Sequence, residues 1–185
     1  LKLTLQRQGR RNQMIDKPAA PASPWETWPL DKEIVIARVV DADRATVFQA
    51  WADPKQIVQW FGPEGFQIES HEVDIRANGV WRFDMIAPDG TRFSNRMAFL
   101  RIETPVLIEL DHGRDVDNDP DRFRLLVTFD EQDNGKTVVT LRQMHPTPER
   151  RAAVIGFGAV EFGTQTLNKL ADHVAGKAGA AAARG

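Results

Sequence analysis

Gly156-x-Gly158, followed by Gly163, imitates a dinucleotide-binding turn. That chemistry needs a strand running into G-x-G-x-x-G, so that backbone N–H groups reach a pyrophosphate at a helix start. Here the third glycine comes too late, and all three fall inside a helical stretch begun at Thr147. Asp115-x-Asp117-x-Asp119 copies the first half of a calcium loop, but Pro120 stands where glycine must turn the chain. Leu126 also occupies the place of the bidentate glutamate, so an exposed acidic hairpin loop is expected. His71-Glu72 lacks a second histidine at i+4, which argues against a zinc hydrolase. Ser23, Ser70 and Ser94 have no nucleophile-elbow context. The chain has no cysteine and no tyrosine, which removes thiolate chemistry, disulfides and phenol acids. No metal and no cofactor is expected.

Polar residues on otherwise apolar strand faces are the better candidates. Asn95 alternates with Met97 and Phe99, His112 with Ile108 and Leu110, and Gln143 with Val139 and Leu141. A mostly apolar wall with a few convergent polar groups is the composition of a small-molecule pocket. The competing reading puts His112 and Gln143 at strand ends, bonded to neighbouring backbone or water. Trp60 and Phe61 either line the mouth of such a groove or staple the core. Glu161 and Gln165 lie opposite Val160 and Leu167 and are expected to face solvent.

Several elements must position these residues. The β-branched run over 33–40 predicts a first strand. Asp43 caps a helix over 44–52, and Asp53, Pro54 and Gln56 serve as N-cap, N1 and N3 of a second, stopped by Gly62-Pro63. Asn78-Gly79 signals a two-residue hairpin, Pro88-Asp89-Gly90 a turn, Thr104-Pro105 a break and Asn134-Gly135 another hairpin. Strands are therefore predicted near 66–75, 80–86, 92–103, 106–112, 122–130 and 136–144. Trp81, Phe83 and Met85, with Leu125, Val127 and Phe129, mark the dry face. Thr147 and Pro148 open a helix predicted over 148–175, whose stripe of Ala153, Phe157, Val160, Leu167, Ala171 and Val174 would cover the sheet.

Composition sets the bounds. A chain of 185 residues, 42% hydrophobic, fits one domain with tails. A net charge of −2 offers no field for nucleic acid or an anionic membrane, and no apolar run reaches the ~18 residues of a membrane span. Absence of cysteine fits a cytoplasmic setting. Residues 1–13 are basic without an apolar segment, which argues against a secretory signal and makes Met14 a candidate start. Trp25 and Trp28, on a proline-rich stretch, are expected to staple it to the domain.

Asp53-Pro54 through Trp60-Phe61-Gly62-Pro63, Asp74-x-Arg76-x-x-Gly79-x-Trp81-x-Phe83, Pro88-Asp89-Gly90-Thr91, and Gly135-Lys136-Thr137 with Thr140-Leu141 occur in an informative order. In that order the chain resembles the START-like (SRPBCC) superfamily and, within it, the heat-shock protein 90 ATPase activator-like family, over about 32–175. The resemblance implies an α+β helix-grip (START-like, Bet v-like) fold, a curved antiparallel sheet around a long C-terminal helix. One departure stands out: relatives usually carry glycine-tryptophan where this chain has Phe162-Gly163. Glycine within a helix costs about 1 kcal/mol relative to alanine. An inward Gly156 and Gly163 therefore mean either close helix-to-sheet contact or volume vacated for a ligand.

The expected organisation is an extended arm over 1–31, a START-like domain over 32–175 and a disordered tail over 176–185. The leading expectation is a non-catalytic domain that binds a small apolar or amphipathic molecule between sheet and helix. Its candidate site residues are Trp60, Phe61, Trp81, Phe83, Asn95, Met97, Phe99, His112, Val127, Phe129, Gln143, Phe157 and Gly163. Alternatives are a stress-response or chaperone-associated interaction module, resting on the family analogy alone, and a cyclase or hydrolase using the same cavity. Homodimer formation is left open.

Overall fold

The computed structural model describes residues 28–182, with side chains through residue 176. Residues 1–27, most of the expected arm and Trp25 with it, and residues 183–185 lie outside the described residues. Trp28 does pack on the domain, its ring 5.8 Å from the Arg142 guanidinium carbon.

Strand β1 (Glu33–Val40) turns Ile34, Ile36 and Val40 inward. Helix α1 (Arg44–Ala52) begins where the Asp43 carboxylate accepts from Thr46 N at 3.0 Å. Helix α2 (Pro54–Trp60) begins where Asp53 accepts from Lys55 N at 2.8 Å, with proline in its first turn. Six strands follow: β2 (Gln67–Val73), β3 (Val80–Ile86), β4 (Arg92–Glu103), β5 (Leu107–Arg114), β6 (Phe123–Glu131) and β7 (Thr137–Met144). They form one seven-stranded antiparallel sheet in the order β1-β7-β6-β5-β4-β3-β2. The sheet is curved, and the fold is the expected α+β helix grip. Both short helices fill its inner face: Phe48 and Trp51 of α1 pack edge-on against Phe129 at 5.2 and 6.5 Å.

Register decides what meets what on that face. Ile34, Gln143, Leu125 and Leu110 form one row across β1, β7, β6 and β5. Phe123, His112, Met97 and Trp81 form the next across β6, β5, β4 and β3. His112 and Gln143 thus sit in rows that are otherwise apolar, whereas Asn95 stands between Arg114 of β5 and Phe83 of β3.

The terminal helix departs from expectation. It is two helices, α3 (Pro148–Phe157) and α4 (Ala159–Ala182), separated by Gly158 at φ +109°. The left-handed residue ends α3 as a glycine C-cap does, accepting the turn without a Cβ penalty. The break dismantles the predicted stripe. Ala153 is exposed, Val160 is 44% exposed and Phe157 is 73% exposed, while Leu167, Leu170 and Val174 carry the packing of α4. The helix also continues past 175 to Ala182.

Smaller corrections have equally local causes. Asn78-Gly79 is not a two-residue hairpin: β2 ends at Val73, and Asn78 (φ 64°) instead donates its N–H to Phe99 O. Gln132 N bonds Lys136 O around Asn134-Gly135, so that turn is longer than two residues as well. The 115–119 stretch is not simply an exposed acidic loop. Asp119 is buried and accepts from Arg114 N at 2.8 Å and from its guanidinium at 2.8 Å. Leu126, on the predicted wet face, is fully buried. No helix among the described residues is long and apolar enough to cross a membrane.

Candidate functional site

Between the sheet and the two terminal helices lies a cavity of about 620 Å³, within the usual range for ligand pockets. Its floor comes from β4 to β7 through Asn95, His112, Phe123, Leu125, Leu141 and Gln143, with His145 just beyond β7. Its roof is Val154 and Phe157 of α3 with Ala159, Phe162, Gly163 and Thr166 of α4. Trp51, Phe61, Phe66 and Met85 close one side.

Phe61 is placed by the chain reversal after α2. Gly62 at φ +91° turns the backbone, Lys169 of α4 donates to Phe61 O and Pro63 O at 3.5 and 3.3 Å, and Gln165 accepts from Glu64 N. These bonds hold the Trp60-Phe61-Gly62-Pro63 segment against α4, with the ammonium of Lys169 lowered in pKa by burial. Gln165 is thus not the free surface residue that helix spacing predicts.

Polar groups on the floor are few. Asn95 Nδ2 donates to Phe93 O at 2.6 Å, and its Oδ1 lies 3.1 Å from His112 Nε2. Burial pushes the His112 imidazole down to about 4, so it is neutral near pH 7. His112 is half-buried and lines the cavity. Gln143 makes no side-chain hydrogen bond to a described residue and borders the same cavity. His145 is 2% exposed, and neither ring nitrogen has a hydrogen-bond partner among the described residues. Burial, then the charges of Arg150 and Arg151, push it down to about 4. Its ring and that of His112 flank Phe123 at 5.0 and 5.1 Å.

Charged residues mark the mouth, where Arg92 and Arg114 are exposed and Asp121 and Arg150 half-buried. Arg114 pairs with Asp119 at 2.8 Å, Arg150 with Asp121 at 3.3 Å and Arg96 with Asp115 at 2.8 Å. Among the described residues no cluster of three or more metal-ligating side chains occurs.

Of the thirteen candidates read from the sequence, the structure brings Phe61, Asn95, His112, Gln143, Phe157 and Gly163 to the cavity wall. It places Trp60, Trp81, Phe83, Met97, Phe99, Val127 and Phe129 in the closed core beside it. Trp60 packs edge-on against Trp51 at 5.0 Å and donates its indole N–H to Ala50 O at 2.9 Å. Trp81 donates to Ser70 Oγ at 2.9 Å and stacks on Phe83 at 4.1 Å. Phe157 reaches the cavity from the exposed rim, not from an inward stripe. A Cβ on Gly163 would lie 2.3 Å from Ile36 Cδ1, so this glycine marks close helix-to-sheet contact. Gly156 has open space around it and does not face the sheet.

The wall residues missed by sequence reading include Phe93, Phe123 and His145. Their parity was available: 93 continues 95, 97 and 99; 123 continues 125, 127 and 129; 145 continues 139, 141 and 143.

Sheet order, paired short helices and the covering terminal helices define a helix-grip domain with an internal apolar cavity. Residues 41–175 match the family model described as "Activator of Hsp90 ATPase homolog 1-like protein", and the chain belongs to that family. Among solved structures it is similar to a protein from Arthrobacter aurescens, with TM-score 0.72, 21% identity, and coverage of 78% of this chain and 87% of that one. It is also similar to a protein from Nitrosomonas europaea, with TM-score 0.73, 20% identity, and coverage of 82% and 99%. The AHSA1 protein from Silicibacter pomeroyi gives TM-score 0.64 and 19% identity over 78% and 99%. At these identities the likeness is one of fold. No curated protein matches.

Proposed function

We propose that this chain is a non-catalytic binding domain for a small apolar or amphipathic molecule, held between the sheet and helices α3 and α4. The observation that carries this reading is the cavity itself, about 620 Å³ with walls made mainly of aromatic and aliphatic side chains. The cyclase or hydrolase reading has less to draw on, because neither cavity histidine is hydrogen-bonded to a carboxylate that would orient it as a base. The aspartates at the mouth are already paired with arginines. A cytoplasmic setting belongs to the same reading, from the absence of cysteine.

A second reading, an interaction module that contacts a chaperone or another protein, is favoured by one observation. Ile155, Phe157 and Val160 form an exposed apolar group around the α3–α4 junction. Native mass spectrometry of gently purified protein, followed by titration with a neutral apolar fluorophore, separates the two. A co-purifying small molecule or saturable uptake of one probe per chain is the expected result. No retained molecule and no saturable uptake would transfer the case to the interaction module.

A further inference from the structure

We propose that the cavity selects ligands with an aromatic or alicyclic body that ends in a hydroxyl group, with that O–H donating to His112 Nδ1. This deepens the ligand-binding reading and rests on it.

The polarity of His112 is fixed by its neighbours. Asn95 Nδ2 donates to Phe93 O at 2.6 Å, which leaves the carbonyl Oδ1 to meet His112 Nε2 at 3.1 Å. A carbonyl oxygen only accepts, so Nε2 carries the ring proton. Burial keeps the ring neutral, its pKa pushed down to about 4, and Nδ1 is therefore a bare acceptor. It makes no hydrogen bond to a described residue, and His112 lines the cavity. With the His112 ring packed beside those of Phe61, Phe83 and Phe123, an acceptor in the cavity wall asks its occupant for a donor.

That demand sorts chemical classes. A carboxylate or an ether offers only lone pairs and would face Nδ1 without a bond. An ammonium offers donors, but it would lose its hydration in a cavity whose carboxylates Asp115, Asp119 and Asp121 already serve arginines. A neutral hydroxyl supplies the donor at little desolvation cost. Gln143, on the strand two away from β5, presents an amide with no partner among the described residues as a separate handle for a second polar atom.

The test uses the full chain and three probes of one shape: 2-naphthol, 2-methoxynaphthalene and 2-naphthoate, titrated at neutral pH by tryptophan quenching and calorimetry. Naphthol is expected to bind at least about tenfold tighter than the methyl ether, with the carboxylate weakest. In His112→Phe, with folding checked by circular dichroism, the naphthol-to-ether ratio should fall towards one while ether affinity persists. Equal binding of naphthol and ether to the parent protein overturns the hydroxyl proposal and leaves the cavity reading standing. No saturable binding by any of the three overturns both. Because the parent comparison needs no variant, failure of His112→Phe to fold leaves the test intact.

Discussion

Gly163 of α4 lies so close to Ile36 of β1 that a Cβ on the glycine would stand 2.3 Å from Ile36 Cδ1. The helix can approach β1 because no side chain intervenes, and Leu167 and Leu170 follow on to close the seam. The clash involves one terminal methyl, since the next Ile36 atom, Cγ1, is 3.7 Å away. Gly163→Ala should therefore be nearly neutral, with about 1 kcal/mol of helix propensity offset by displacement of that methyl. In an Ile36→Val background the methyl is gone, and the same change should stabilise by about 1 kcal/mol. Gly163→Trp should overpack the seam by roughly 1 to 3 kcal/mol or more. Denaturant melts of the four-member alanine and valine cycle check the coupling; additive effects would contradict it.

His145 carries a different kind of cost. Its two ring nitrogens are buried without a partner among the described residues, and an unsatisfied buried polar group costs about 1 to 3 kcal/mol. His145→Phe retains a ring stacked near Phe123, which lies 5.0 Å away, and removes both orphan nitrogens. The variant should melt higher than the parent by roughly 1 kcal/mol of added stability. A lower melting point would mean that His145 makes a compensating interaction in solution.

The same burial gives a pH signature. His112 and His145 are both pushed from 6.5 down to about 4 in the folded chain. Between those values the unfolded state binds more protons, so their contribution is complete above pH 6.5 and is lost as pH falls towards 4. Each histidine contributes a slope of up to about 1.4 kcal/mol per pH unit in that window. Chemical denaturation from pH 7.5 to 5 should show stability falling on acidification, with a shallower fall in His145→Phe. A parent curve flat over that range would refute the buried neutral state.

Local signals carried most of the fold. Asp43, Asp53-Pro54 and Thr147-Pro148 placed three helix starts, because caps act over a few residues and need no tertiary context. Alternation likewise found the inner sheet face, but it reports side and not depth. Phe83 and Asn95 are opposed across β3 and β4, yet one is core and the other wall. What separates them is where the curved sheet stops touching α1 and α2, which no local pattern encodes. Gln143 and His112 were legible as polar residues in apolar company. Gly163 was legible as an anomaly, and only its distance to Ile36 chose between its two meanings.

Gly158 is the position where helical spacing misled most, and it supports the strongest backbone prediction. Its φ of +109° suits glycine alone, and an added Cβ would also press on the Phe162 ring at 3.3 Å. The break ends α3 with Gly158 N bonded to Ile155 O, and lets Phe162 pack on Phe157 at 5.9 Å and Phe66 at 6.2 Å along the cavity roof. Gly158→Ala forces either a strained left-handed alanine or a continuous helix that carries α3 off the cavity. The first outcome should cost roughly 1 to 2 kcal/mol, more than the helix-propensity gain returns. The second should leave secondary structure intact while weakening uptake of a cavity probe and changing fluorescence from Trp51 in the wall. Thermal melting with probe titration of Gly158→Ala distinguishes them. A variant more stable than the parent with unchanged probe affinity would show that the break is dispensable to the cavity roof.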